Sequence, residues 1–251
     1  MQISLIQLDG EDILWSPEHM PMLLRQTPES DLIVFPEGMP FLNDKDPILH
    51  KEAMKTLSDA GKQVSECTFI AGGYISEAEH TRNRVYLVNR GKVIDWYDKQ
   101  IVWEGEDFKP GIGAKCFEWD GKKCIPLICA DAGEYLSPEK IERMFKVIKA
   151  GAGPKTPIVI SSYGGGLLTD YWQPSLREWS KGCDAPVLIC GISGTHSETF
   201  FKDTNKMSHP FGGGGSGAFW PTGHEQQSGR RGIVTVNIAS ETAKWKAIRG
   251  N

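Results

Sequence analysis

The stretch Cys124-Ile125-Pro126-Leu127-Ile128-Cys129-Ala130-Asp131 is an apolar run that ends at a cysteine. We predict a β-strand over 123–129, paired with a strand over 116–119 through the turn Asp120-Gly121. Small residues follow the cysteine, and then Ser137 and Pro138, which are typical of the first positions of a helix. A thiol at such a strand-to-helix elbow faces a cleft, where backbone N–H groups can stabilise an oxyanion. The alternative interpretation is a buried structural cysteine.

Two other predicted strands also end at charged residues. The hydrophobic segment 31–35 (DLIVF) stops at Pro36-Glu37-Gly38, and the segment 96–100 (WYDKQ) ends a strand at Lys99. A carboxylate at the end of a buried strand is partly desolvated, which raises its pKa towards the range of a general base. The acidic loop 103–111 follows Lys99. Taken singly, Glu37 also fits a solvated turn, Lys99 a surface position and the loop a solvated charged segment.

Apolar runs rich in β-branched residues alternate with segments of helical spacing along the chain. We predict strands over 3–8, 31–35, 68–74, 82–89, 93–97, 116–119, 123–129, 158–161, 186–191, 217–220 and 232–238, with the last two forming a hairpin. Helices are predicted over 17–24, 47–67, from 137 onwards and over 172–181. The glycine-rich segment 211–217 is interpreted as a close-packed approach to the strand after it. Helices between strands, together with hairpins, predict an α/β fold with mixed sheets. The absence of a linker predicts a single domain, 1–251.

Five motifs in this order resemble those of the nitrilase, or carbon–nitrogen hydrolase, superfamily. They are Ala71-Gly72-Gly73-Tyr74 with Arg82-Asn83-Arg84-Val85-Tyr86, Tyr97-Asp98-Lys99, Glu104 with Phe108 and Pro110-Gly111, Cys129-Ala130-Asp131, and Gly215-Ser216-Gly217 before Trp220-Pro221-Thr222-Gly223. The resemblance covers most of the chain. It implies a four-layer α-β-β-α sandwich with mixed sheets.

The resemblance also implies roles for individual residues. Glu37 would be the general base, Cys129 the nucleophile and Lys99 the electrostatic stabiliser. Lys99 and the backbone N–H of Ala130 would form the oxyanion hole. Glu104 would be the second glutamate, which its spacing from Phe108 favours, and Glu106 is the alternative in the same loop.

Substrate-pocket candidates near these positions are Asp131, Glu134, Tyr135 and Tyr163. The segment after the cysteine departs from the usual family pattern, because small residues occupy places where bulky or charged ones are common. The segment 179–184 (WSKGCD) also differs from the family's usual ending of the corresponding helix. The resemblance therefore carries little information about the substrate.

The expected activity is hydrolysis of a non-peptide carbon–nitrogen bond, most simply that of a small linear amide, through a thioester on Cys129 that gives an acid and ammonia. The same thioester could serve a nitrile hydrolase or an acyl transferase. A non-catalytic binding protein on this scaffold is a further alternative, although all the catalytic positions hold competent residues. A cysteine–histidine hydrolase would use His196 or His209, and no sequence feature selects either.

Composition excludes several classes of protein. The 251 residues are 24% charged and 39% hydrophobic, with a net charge of −4, so no basic stripe suggests a nucleic-acid partner. The first ten residues lack the features of a signal peptide, and no apolar run is long enough for a membrane helix, so we expect a cytoplasmic protein. Neither the six histidines nor the cysteines show metal-ligand spacing, and we expect no metal and no cofactor.

The remaining cysteines and the C-terminal tail give two further expectations. Five of the six cysteines, all except Cys129, are interpreted as small buried hydrophobic residues with free thiols. Trp245 is the large apolar residue of a mostly polar tail, 241–251. We expect this tail to pack on a second subunit, which predicts a homodimer or a higher homo-oligomer.

Overall fold

The structure is a computed structural model, which describes residues 1–8, 16–27, 29–64, 66–102, 106–113, 115–132, 142, 146, 148, 156–163, 173–192, 215–228 and 231–248. The helix start predicted at Ser137 and most of the glycine-rich segment, up to residue 214, lie outside these residues.

The described residues include fifteen strands and three α-helices with described bounds, and residues 142, 146 and 148 are also helical. The strands are β1 Gln2–Gln7, β2 Leu32–Val34, β3 Pro40–Phe41, β4 Ile48–Leu49, β5 Thr68–Glu77, β6 His80–Asn89, β7 Lys92–Asp98, β8 Phe117–Trp119, β9 Lys122–Ile128, β10 Ile158–Ser161, β11 Val187–Cys190, β12 Ser216–Phe219, β13 Glu225–Ser228, β14 Gly232–Asn237 and β15 Thr242–Lys246. The helices are α1 Met20–Arg25, α2 His50–Lys62 and α3 Gln173–Cys183, with 3₁₀ turns at Pro17–His19 and Cys129–Ala132.

The strands form two mixed sheets. The first has the order β15-β14-β1-β2-β5-β6-β7, and the short strands β3 and β4 also pair with β5. The second has the order β13-β12-β11-β10-β9-β8. Strands β1, β2 and β5 are parallel to one another, as are β9, β10 and β11, and the outer pairs are antiparallel. Parallel centres with antiparallel margins explain why hairpin signals occur in a chain that also alternates strand and helix.

The alternation of side chains along β1 explains the layering. Ile3 and Leu5 pack in the core between the two sheets, where they join Leu127 of β9. Ile6 points to the opposite face, into a second core that includes Leu57 of α2. Because successive strand residues point to opposite faces, one apolar strand supplies both cores.

Helices cover the outer face of each sheet. In α2, the buried residues Ala53, Leu57 and Ala60 recur at helical spacing, so one face of the helix lies on the first sheet. In α3, Leu176 and Trp179 are buried and the helix lies against β11 and β12 of the second sheet. The architecture is therefore a four-layer α-β-β-α sandwich with mixed sheets, as predicted.

Local patterns predicted most element positions but misplaced some boundaries. The strand predicted over 158–161 is β10, and the helix predicted over 172–181 is α3. The helix predicted over 47–67 is shorter, because residues 48–49 form β4 and the helix ends at Lys62. A helical pattern does not reveal that its first residues are held by pairing with β5.

The predicted C-terminal hairpin is wrong. Strand β12 belongs to the second sheet and pairs with β13, whereas β14 belongs to the first sheet and pairs with β15. Strand β13 is wholly polar, and the short alternation of Ala243 and Trp245 in β15 does not show which strand β15 pairs with. The tail is consequently not a free end, since Trp245 lies opposite Val234 within the sheet and is 42% exposed. The tail's predicted packing on a second subunit stays a prediction.

The chain direction brings three predicted positions to one end of the sandwich. In the first sheet β2 and β7 run the same way, because β6 is antiparallel to both β5 and β7. Glu37 follows β2, Lys99 follows β7 and Cys129 follows β9.

Among the described residues, no helix has the length and apolarity that crossing a membrane would need.

Candidate active site

Lys99 lies at the centre of a buried charged cluster. Its ammonium nitrogen Nζ is 2.9 Å from Oε1 of Glu37 and 2.7 and 2.9 Å from Oε1 and Oε2 of Glu106. The side chain is 1% exposed, and Nζ lies 5.6 Å from the centre of the Phe108 ring. Burial alone would lower the pKa of Lys99, but the negative charges of Glu37 and Glu106 outweigh it and raise that pKa well above the ordinary value. Lys99 is therefore a cation held between two carboxylates.

Three separate segments hold the Glu37 carboxylate. Oε1 accepts hydrogen bonds from Nδ2 of Asn83, at 2.8 Å, and from Lys99. Oε2 accepts one from the backbone N–H of Tyr163, at 3.1 Å. The chain turns immediately after Glu37, where Gly38 adopts a φ of +84°, a conformation that favours glycine. The side chain is thus fixed in one orientation, and the Oε2 atom keeps hydrogen-bonding capacity for a further partner.

Cys129 occupies a strained turn at the end of β9. Its φ is +42°, in the left-handed region that side chains other than glycine rarely adopt, and it is the first residue of the 3₁₀ turn Cys129–Ala132. Such strain costs on the order of 1–3 kcal/mol and persists where the surroundings impose it. The residue is partly exposed, and a hydrogen bond joins its thiol to the Ser162 hydroxyl. This is the predicted elbow, although the strand stops one residue before the cysteine.

The thiol is protonated in the resting protein. Burial and the charge of Glu37 raise the pKa of Cys129 to about 12, against the opposing effect of Lys99. Of the other cysteines, those at 67, 124, 183 and 190 are buried, as predicted. Cys116 is half-buried, so the expectation of a buried residue is wrong there. It precedes β8 at the edge strand of its sheet, where one face remains open.

Glu106 is the loop glutamate that contacts Lys99. Its Oε1 also accepts a hydrogen bond from the Tyr74 hydroxyl, at 3.2 Å, and its side chain is 11% exposed. Glu104, which the spacing from Phe108 favoured, lies outside the described residues. The role of Glu104 therefore stays a prediction, while the contact geometry favours the alternative, Glu106.

The pocket candidates separate into different groups. Asp131 does not line a pocket, because it is fully buried and its carboxylate accepts hydrogen bonds from four protein groups. Tyr163 lies beside Glu37 through its backbone N–H, and burial together with the Glu37 charge raises the pKa of its phenol. Glu134 and Tyr135 lie outside the described residues. Ala130 is buried in the turn next to Cys129, and its part in an oxyanion hole stays a prediction.

An ion-pair cluster lies on the face of the first sheet opposite the site. Arg84, which is 2% exposed, donates to Oδ2 of Asp98 at 2.9 Å and to Oε2 of Glu77 at 2.8 Å. Arg84 follows Asn83, and Asp98 precedes Lys99, so the cluster lies on the opposite face of β6 and β7 from the site. The Arg84–Asp98 pair joins β6 to β7 next to Asn83 and Lys99, and the Arg84–Glu77 pair joins β6 to β5.

Comparisons with known proteins bear on the fold. No protein-family model matches the chain, and no curated protein matches its sequence. The structure is similar to that of Nit3 from Saccharomyces cerevisiae, a member of branch 10 of the nitrilase superfamily. The identity is 19%, with 94% of this chain and 89% of that chain covered and a TM-score of 0.66. The fold is that of the nitrilase superfamily.

Two other solved structures are similar to about the same degree. One is a variant of the amidase from Nesterenkonia sp. AN1, in which acrylamide has added to the active-site cysteine. It has 16% identity, coverage of 94% and 92% of the two chains, and a TM-score of 0.68. Another is the glutamine-dependent NAD⁺ synthetase of Acinetobacter baumannii, with 15% identity and a TM-score of 0.70. The match covers 97% of this chain and 47% of the synthetase chain.

Three residues of this nitrilase-fold site were not singled out from the sequence. Asn83 and Tyr74 lie within the predicted strand pair and contact the two glutamates. Both belong to segments quoted for the family resemblance, so a signal for them existed. Ser162 follows β10, and its position after a strand, like that of Cys129, could have marked it. Its contact with the thiol depends on the pairing of β9 with β10.

Proposed function

We propose that this chain is a member of the nitrilase superfamily and a carbon–nitrogen hydrolase, which cleaves a small linear amide through a thioester on Cys129. The observation that carries the proposal is the Lys99 ammonium, which contacts both Glu37 and Glu106 beside a thiol in a strained turn. A nucleophile, a carboxylate within the same cluster and a fixed cation are the groups that acyl transfer needs.

In the first step, Glu37 acts as general base. Burial and the Glu37 charge raise the pKa of the thiol, which favours the protonated form at neutral pH. A preformed thiolate is therefore not the resting nucleophile. Instead, Sγ attacks the carbonyl carbon as its proton passes to Oε2 of Glu37, which gives a tetrahedral oxyanion.

Lys99 and the backbone N–H of Ala130 stabilise the oxyanion. The three N–H donors of the ammonium already meet three carboxylate oxygens, so Lys99 acts on the developing charge through its positive charge and by turning one N–H from a Glu106 oxygen to the oxyanion. A donor already aimed at that charge contributes about 3–4 kcal/mol to transition-state stabilisation. Glu106 holds Lys99 in place, so that Glu37 can change its protonation state without releasing the cation.

The second half of the reaction reverses the proton transfers. Protonated Glu37 gives its proton to the leaving nitrogen as the carbon–nitrogen bond breaks, and ammonia departs from a thioester on Cys129. Glu37 then takes a proton from water, whose oxygen attacks the thioester carbonyl. Collapse of this second intermediate breaks the carbon–sulfur bond, releases the acid and returns a proton to the thiol.

The test is acid-quenched intact mass spectrometry with a panel of small amides and nitriles. We expect a mass increase equal to the acyl group, located on Cys129 by peptide analysis, and turnover that gives acid and ammonia. Cys129→Ala and Glu37→Gln should abolish turnover without loss of the folded state. Cys116→Ala is the matched control, because this half-buried thiol lies away from the cluster, and it should retain both adduct and turnover.

Different outcomes separate the candidate activities. Adducts from nitriles alone would favour a nitrile hydrolase, and transfer of the acyl group to an added amine would favour an acyl transferase. Near-native turnover in Cys129→Ala would exclude Cys129 as the nucleophile.

A further inference from the structure

Asp131 lies two residues after Cys129. It is the third residue of the 3₁₀ turn Cys129–Ala132 and is 0% exposed. An ionised carboxylate at such a depth is costly unless hydrogen bonds or a cation compensate it. The compensation that Asp131 receives comes from both sheets of the sandwich.

Four donors surround the Asp131 carboxylate. Oδ1 accepts the backbone N–H groups of Gln100, at 3.0 Å, and Ile101, at 2.9 Å. Oδ2 accepts the Tyr97 hydroxyl, at 2.8 Å, and the backbone N–H of Ile128, at 3.2 Å. The Gln100 side chain donates to the Tyr97 oxygen at 2.9 Å, which directs the Tyr97 proton towards Asp131.

These donors belong to the two chain segments that carry Lys99 and Cys129. Lys99 stands between Tyr97 and Gln100 in the segment that leaves β7 of the first sheet. Ile128 immediately precedes Cys129 at the end of β9 in the second sheet. Asp131 therefore connects, across the gap between the sheets, the Tyr97 side chain and the backbone just after Lys99 with the backbone next to the thiol.

We propose that Asp131 is a positioning residue that fixes the Lys99 ammonium relative to the Cys129 thiol. The proposal rests on the function proposed above and adds to it a residue that does not touch the reacting atoms. The strand pairing of β7 ends at Asp98, the N–H of Lys99 donates to the carbonyl oxygen of Asn83 at 2.8 Å, and the next two backbone N–H groups go to Asp131. Without those bonds, the segment that carries Lys99 loses its attachment to the thiol turn.

An asparagine at this position cannot reproduce the arrangement. Its oxygen could still accept the N–H groups of Gln100 and Ile101. Its NH₂ group, however, would face the N–H of Ile128, and a donor opposite a donor repels. The charged group that acts on Asp131 is Lys99, which follows β7, and the neutral Tyr97 phenol of β7 acts through its hydrogen bond.

The experiment compares Asp131→Asn with Asp31→Asn. Asp31 is the matched control, because its carboxylate also connects the two sheets, but at the opposite end of the strands, through the N–H of Gln2 and the ammonium of Lys122. The first measurement is the rate constant for alkylation of Cys129 by iodoacetamide against pH, followed by peptide mass spectrometry. The second is kcat and KM for an amide turned over by the wild type.

A positioning role and simple removal of a charge predict opposite changes in the alkylation rate of Cys129 in Asp131→Asn. Lys99 lowers the pKa of the Cys129 thiol, so a displaced Lys99 raises that pKa further. We expect the alkylation rate of Asp131→Asn at about pH 9 to fall by about threefold or more. Loss of a nearby negative charge alone would instead lower the thiol pKa and speed the reaction. We also expect kcat to fall by roughly tenfold to a hundredfold with little change in KM.

Each result either supports or overturns the positioning role of Asp131. Wild-type or faster alkylation in Asp131→Asn, or equal effects in Asp31→Asn, would overturn the positioning role. A wild type that neither turns over nor forms an adduct would refute the proposed function, while the alkylation rates would still judge Asp131. If Asp131→Asn does not fold, Tyr97→Phe removes one of the four bonds and should slow alkylation in the same direction; an unchanged rate would contradict the proposal.

Discussion

The Lys99 ammonium contacts both carboxylate oxygens of Glu106, at 2.7 and 2.9 Å. Its third contact is to a single oxygen of Glu37, at 2.9 Å. The two glutamates are therefore not equivalent, since Glu106 offers both oxygens to the cation and Glu37 offers one. This asymmetry suits Glu106 to holding Lys99 and leaves Glu37 the freer oxygen for proton transfer.

Replacing Glu106 should impair catalysis more than replacing Glu104. In Glu106→Gln the ammonium loses one of its two anionic partners, and Lys99 is held less firmly. We expect kcat to fall by roughly a hundredfold or more, as for loss of a preorganised electrostatic group. Glu104→Gln is the comparison, and we expect a change within about threefold. Steady-state kinetics of both variants decide between the residues, and the reverse order would assign the role to Glu104.

The activity should not decline in mildly alkaline solution. The pKa of Cys129 is raised to about 12, and that of Lys99 lies well above its ordinary value, so thiol and ammonium both keep their protons. We expect kcat/KM to stay flat between about pH 8 and about pH 10. An alkaline decline with a midpoint near about 8.5, typical of an ordinary thiol, would disagree with the buried cluster. Cys116→Ala should give the same profile.

Asp131 should make stability depend on pH. Burial raises its pKa from 3.8 to about 7, against the hydrogen bonds and Lys99, which lower it. A raised pKa means that the folded protein binds the proton more tightly than the unfolded chain. The resulting stabilisation is fully present below about pH 4 and is lost as the pH rises through about 7.

We therefore expect the free energy of unfolding of the wild type to fall by up to about 4 kcal/mol relative to Asp131→Asn across this pH range. Urea unfolding of both proteins at about pH 4 and about pH 8 measures the difference. A parallel pH dependence in the two proteins would show that Asp131 is ionised without cost. The expected difference would instead show that the ionised form of Asp131, which suits positioning, lowers the stability of the folded protein.

Gly72 should not tolerate a side chain. A Cβ atom there would lie 1.9 Å from the carbonyl oxygen of Arg84 and 2.8 Å from Cα of Val85, so β6 would have to move. We expect Gly72→Ala to lower the free energy of unfolding by about 2 kcal/mol or more. It should also lower kcat, because β6 carries Asn83. Thermal unfolding and kinetics provide the measurements.

Gly121→Ala is the control for this prediction. Gly121 has a φ of +74°, but nothing lies within 4 Å of a Cβ placed there. We expect only the backbone cost of about 1–2 kcal/mol and unchanged kcat. Equal effects of the two substitutions would mean that close strand approach at Gly72 is unimportant.

The sequence by itself determined the strands that frame the site and the residues at their ends. Apolar runs that stop at Glu37, Lys99 and Cys129 are local patterns, and local periodicity suffices to locate buried strands. Only the tertiary structure decided which loop glutamate reaches Lys99 and that Asp131 joins two segments rather than lining a pocket. It also decided that β12 and β14 belong to different sheets. These features depend on the path of a polar loop, on backbone donors from distant strands and on the choice of partner strands, and a periodic pattern within one segment specifies none of them.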